Sequence, residues 1–209
     1  GTLAITIIRS GQGIDRVLEE CGVTHFFVDA HLFAGARSEG VVEGGKFRKV
    51  GWQEAEDHPE LGWRSVLEPH RVGTHGEMSN ITAFARHPDV SEQVWSADVG
   101  YPGDGRYLEF HKRQEGDGLR YWRVTDRKAG LGDKLPYEPE GIPGVIHAHA
   151  QHFAATVRER LTAWHKHTGR NGCVCAHFDA ELFGHWWHEG PGFLRDVLLT
   201  LHHDPDIIV

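Results

Sequence analysis

Residues 173–194 read CVCAHFDAELFGHWWHEGPGFL, which puts a carboxylate at the end of an apolar run and surrounds it with rings. Residues 173–178 have the length and apolar character of a buried strand. Asp179 and Glu181 follow where the strand ends, and Gly184 permits a tight backbone turn. In α/β sheets and barrels, ligands gather beyond the carboxyl ends of strands, so the segment predicts a carboxylate at the rim of a binding site. Trp186 and Trp187 add two flat apolar faces, each with an N–H donor. Such rings lie against the C–H face of a pyranose while polar neighbours take its hydroxyls, and Asp179 is then a proton donor to a bridging oxygen. The competing structural reading makes both indoles core residues under a loop and Asp179 the N-cap of a short helix starting near Glu181.

Two more stretches carry an organised pattern. Residues 81–86 (ITAFAR) read as a short strand. Beyond them come Glu92, Val94 and Trp95, then Gly100-Tyr101-Pro102-Gly103-Asp104, then Tyr107-Leu108-Glu109-Phe110, with glycines and a proline marking a loop that holds rings in place. Residues 13–23 read as a short amphipathic helix closed by glycine, and residues 25–29 as the strand that follows, giving one α/β step.

These residues carry a family resemblance. Residues 178–191, FDAELFGHWWHEGP, resemble the signature around the acid/base aspartate of the family-57 glycoside hydrolases, in the branch of the 4-α-glucan branching enzymes. Residues 81–110 are similar to the segment lining the glucan site in that branch, and residues 13–29 to the step after the strand bearing the catalytic nucleophile. The resemblance implies an α/β fold, with this chain as the back half of an incomplete seven-stranded (β/α) barrel of the glycoside hydrolase/deacetylase type. It implies that Asp179 is the general acid and then the base, held protonated by ring-lined burial. Arg86, Trp95, His177, Trp186 and Trp187 become substrate-binding residues, with Arg86 giving planar donors and Trp95 a stacking face. The implied partner is an α-glucan such as amylose or a glycogen-like chain, with no cofactor and no metal.

The implied chemistry cuts an α-1,4 linkage through a covalent glycosyl intermediate and passes the chain to a 6-hydroxyl. It needs two carboxyl groups about 5 Å apart, one as nucleophile. Counting back from Gly13 without gaps puts Ile7 where the family carries its nucleophilic glutamate, and an isoleucine cannot attack an anomeric carbon. The absent initiator methionine and the immediate entry into a strand point to a chain that starts inside a longer reading frame. A noncatalytic glucan-binding relative is the alternative.

Composition agrees with a globular enzyme. The 209 residues suffice for a sizeable core, with 39% hydrophobic and 25% charged residues. A formal net charge of -8 with scattered Lys and Arg argues against nucleic acid. No apolar run approaches the roughly 20 residues that span a bilayer, and no signal peptide is recognisable, so the default expectation is no membrane and a cytoplasmic location. Three cysteines, two in a C-x-C arrangement, point to reduced thiols rather than a disulfide framework, and Cys173 and Cys175 should face the same side of their strand. Histidine is abundant at 17 copies. His185 and His188 share a face on a helical turn, and with His177 and Asp179 they offer the rival reading of a metal-dependent, deacetylase-like hydrolase.

Residues 1–209 read as a single partial catalytic barrel domain with irregular excursions at about 35–76 and 116–143. The first resembles a lid-forming excursion of the family, lacking its tyrosine but carrying Trp52 and Trp63. The second surrounds a possible strand at 121–125. Residues 145–167 read as a helix with Phe153, Val157, Leu161 and Trp164 on one face, residues 193–201 as another helix, and residues 206–209 as a strand cut short.

Overall fold

A computed structural model describes residues 5–6, 13–33, 37–38, 42–43, 46–47, 52–53, 65–74, 77–96 and 98–209. They divide into two units, Gly1–Pro88 with Trp164–Ala176, and Asp89–Ala163 with His177–Val209.

The first unit is a small α/β layer. After β1 (Ile5–Thr6) come α1 (Ile14–Glu20), β2 (His25–Val28) and α2 (Ala30–Phe33). Gly22, at φ +73, ends α1 in the left-handed conformation, with its N–H on Glu19 O and the Val23 N–H on Leu18 O. Within the expected excursion lie β3 (Arg37–Ser38), β4 (Val42–Glu43), β5 (Lys46–Phe47) and β6 (Trp52–Gln53), paired antiparallel as β3 with β6 and β4 with β5. Then come β7 (His70–Thr74) and β8 (Glu77–Ala85).

The main sheet has the order β1-β2-β8-β7, parallel between β1, β2 and β8 and antiparallel between β8 and β7. Phe26 and Val28 on β2 and Ile81, Ala83 and Ala85 on β8 alternate inward and pack with Leu18, Val23 and Phe33. Because β2 and β8 run parallel, Asp29 and Arg86 fall at the same carboxyl end of the sheet. The strand expected at 173–178 is reduced to a single parallel bridge between Cys175 and Arg86, with the Cys173 N–H on Leu67 O.

In the second unit, α3 (Pro88–Trp95) buries Val90 and Val94, one turn apart. The long α4 (Ile142–Thr168), whose residues from Trp164 on belong to the first unit, starts three residues before the helix read from the sequence at 145–167, with Pro143 in a first turn that has no need of its N–H. Phe153 and Val157 are buried on α4, as read, while Leu161 and Trp164 are only half-buried. The last helix, α5 (Gly190–His202), buries Phe193, Val197 and Leu201. Residues 206–209 form no strand, and the expected strand at 121–125 appears as isolated bridges, Leu108 with Arg123 and Trp122 with Pro136. No helix among the described residues is long and apolar enough to cross a membrane.

Candidate functional site

Asp179 stands exposed at the N-cap of a 3-10 turn, Ala180–Leu182. Its carbonyl accepts the Leu182 N–H at 3.0 Å, and its side chain makes no capping bond. The backbone then doubles back through Gly184, where φ is +97, and the Gly184 N–H closes on Trp187 O at 2.8 Å. That reversal sends the two adjacent indoles in different directions. Trp186 is 45% exposed; its ring lies 4.2 Å from Phe110 at 35°, and its Nε1 donates to Glu181 Oε1 at 3.1 Å. Trp187 is 2% exposed and packs on Phe193, Tyr107 and Phe183 with centroids 4.9, 5.6 and 6.3 Å away.

Trp186 and Trp95 line one cleft of about 570 Å³, together with Phe110, Leu182, Leu131, Pro102 and Arg127. Trp95, 40% exposed, leans on Phe178 at 6.1 Å, the residue just before Asp179 in the chain. Asp179 is not itself part of the lining. A buried ion pair also lines the cleft: Lys134 Nζ is 3.0 Å from Glu109 Oε2 and donates to Val124 O and Asp126 O. Glu109 Oε1 accepts the His111 N–H at 2.8 Å and lies 3.1 Å from His111 Nδ1. Burial pushes the Glu109 carboxyl up, but the hydrogen bonds from His111 and Lys134 outweigh it and hold it below the usual range.

Glu189, which is not part of that lining, is buried. Its Oε1 accepts both the Leu108 N–H and the Tyr137 hydroxyl, at 2.9 and 2.8 Å, which ties the Phe110 segment and the 137 segment to the turn beneath Trp186. Next to it, the Tyr107 hydroxyl lies 2.8 Å from His149 Nδ1, and His149 Nε2 lies 3.5 Å from Asp104.

The structure therefore brings together Trp95 and Trp186 and corrects the reading of Trp187. Buried among Phe193, Tyr107 and Phe183, Trp187 is core and offers a sugar nothing to lie on. The ring-lined burial expected around Asp179 is likewise absent among the described residues. His177 is half-buried, immediately before Phe178. Arg86 belongs to the first unit, where its Nε is 3.5 Å from Asp29 Oδ1. Sequence reasoning did not single out the polar partners Asp29, Lys134 and Glu189; Asp29 stands at a strand end, whereas Lys134 and Glu189 are defined by partners distant in sequence. Among the described residues no group of three or more His, Cys, Asp or Glu is arranged to hold a metal, and His185 instead meets the rings of Phe110 and Trp186 at 5.4 and 5.3 Å. Ile7 and Trp63 lie outside the described residues, as does the side chain of Trp52 on β6.

No family model matches the chain. It is 37% identical over 191 residues to a 1,4-alpha-glucan branching enzyme of Thermococcus kodakarensis, a match covering 91% of this chain and 26% of that protein. The chain thus spans about a quarter of the length of this curated relative. Its fold is similar to the crystal structure of the GH57-type branching enzyme from Pyrococcus horikoshii, with TM-score 0.75 and 38% identity over 94% of this chain and 31% of that one. It is also similar to the alpha-amylase AmyC from Thermotoga maritima, with TM-score 0.72 and 29% identity over 95% of this chain and 37% of that one.

Proposed function

Since the chain is a relative of the family-57 branching enzymes along nearly its whole length, we propose that it is a segment of a 1,4-α-glucan branching enzyme, acting on amylose-like or glycogen-like chains. In this reading its parallel strands belong to an incomplete seven-stranded (β/α) barrel, the two units are parts of one catalytic domain, and the protein works in the cytoplasm. The observation that carries the reading is the cleft with two half-exposed indoles, Trp95 and Trp186, beside the segment that bears Asp179. Each indole offers an apolar face to a pyranose, and Glu181 already holds the Trp186 N–H, which fixes that ring in place.

Asp179 is the general acid that protonates the departing glycosidic oxygen and then the base that takes the proton from the incoming 6-hydroxyl. Its exposed position leaves the carboxyl open to both oxygens. The nucleophilic carboxylate is assigned to no residue of this chain. Arg86 and His177 supply hydrogen bonds to substrate hydroxyls in the same reading.

The test is incubation of the full-length gene product with amylose, followed by counting α-1,6 linkages by proton NMR. Branches are expected from the parent and none from Asp179→Asn; equal branching by the Asn variant overturns the role of Asp179. The similarity to an alpha-amylase favours a second reading, in which water replaces the acceptor hydroxyl. In that case reducing ends appear without α-1,6 linkages.

A further inference from the structure

Cys173 and Cys175 lie on the extended stretch leading to Asp179 and take no part in the chemistry above. That stretch is anchored at both residues. The Cys173 N–H donates to Leu67 O at 2.8 Å, and Cys175 O accepts the His87 N–H at 2.9 Å. Residues two apart in extended backbone project to one side, which sets the Cys173 and Cys175 thiols next to each other. Both are half-buried, and neither is in a disulfide. The adjacent Cys175 side chain outweighs burial and draws Cys173 down to about 7, while Cys173 and burial push Cys175 up. Near neutral pH the pair thus holds one readily formed thiolate beside one thiol.

We propose that Cys173 and Cys175 form a chelating dithiol site for a soft, thiophilic centre, of which trivalent arsenic is the simplest representative. With an arsenoxide, the arsenic–oxygen bond breaks and two arsenic–sulfur bonds form. The two thiol protons leave with the oxygen as one water, and the arsenic stays trivalent. Residues two apart in a strand are separated by roughly 6.5 Å, near the upper end of the Cα range for a disulfide; an atom bridging the two sulfurs spans that gap and, unlike a disulfide, needs no oxidant.

The test treats the full chain with phenylarsine oxide and reads the intact mass together with the free thiols that remain. The expected result is one phenylarsenic per chain, two thiols lost per arsenic and release by a competing small dithiol. Cys21→Ser should leave this uptake intact. Cys173→Ser and Cys175→Ser should each weaken binding by about 100-fold, the loss of effective concentration when a bidentate site becomes monodentate. No uptake by the parent, one thiol lost per arsenic, or unchanged affinity in Cys173→Ser overturns the proposal. The stoichiometry is read on the parent, so the decision stands even where a serine variant folds poorly.

Discussion

Trp186 and Trp187 are neighbours in sequence with opposite surroundings, and the difference has an energetic signature. Trp187 is enclosed by Phe183, Phe193 and Tyr107, so Trp187→Ala should destabilise the fold by about 3–5 kcal/mol, the range for emptying a large aromatic site. Trp186 touches Phe110 on one side and the cleft on the other, so Trp186→Ala should cost only about 1 kcal/mol, the scale of one aromatic pair. Denaturant unfolding of the two variants measures both, and equal losses would contradict the placement of the rings. Lys134 makes a second residue-scale case. Lys134→Met leaves Glu109 buried without its cation and should destabilise by about 3–5 kcal/mol, whereas replacing both partners with apolar residues should cost much less.

The turn after Asp179 is where element geometry decides function. Gly184 adopts φ +97, and a Cβ there would sit 3.3 Å from Pro191 Cγ, so Gly184→Ala should cost about 1–2 kcal/mol and blur the direction of Trp186. Unfolding midpoints combined with Trp186 fluorescence would show both effects. Elements with strong periodicity were legible in the sequence: α1, β2, β8, α4 and α5 follow their apolar spacing. The stretch 173–178 was not, because an apolar run specifies extended backbone without specifying a partner, and only Cys175 finds one in a ladder. Residues 121–125 and 206–209 failed for the same reason. At the site, residue types and the turn at Gly184 were legible, but which indole faces the cleft was not. That choice depends on Phe110 against Trp186 and on Tyr107 against Trp187, both far away in sequence, together with the nearby Phe193.

Across the whole molecule, the pH dependence of stability follows from the second unit's buried groups. Burial holds His149 below its ordinary value, so the unfolded chain takes that proton first, and stability should begin to fall below about pH 6.5. Asp104 is held low by its hydrogen bond from Arg106, and Glu109 is also held low. Their contributions are present above the ordinary carboxylate range and are lost as pH falls through the lowered values. Burial raises Tyr101, Tyr107 and Tyr137, whose contributions are complete below their unfolded value of about 10 and decline above it. Thermal melts across pH should therefore show a plateau on the neutral to mildly alkaline side, with the acid loss starting earlier than carboxylates alone would give. The central claim, that the Trp95–Trp186 cleft takes an α-glucan, is tested most directly by titrating the chain with maltoheptaose and following tryptophan fluorescence. Saturable quenching by the parent, with affinity about 10-fold weaker in Trp186→Ala for the loss of one stacked ring, is the expected result; no binding by the parent, or equal affinity in the variant, would contradict it.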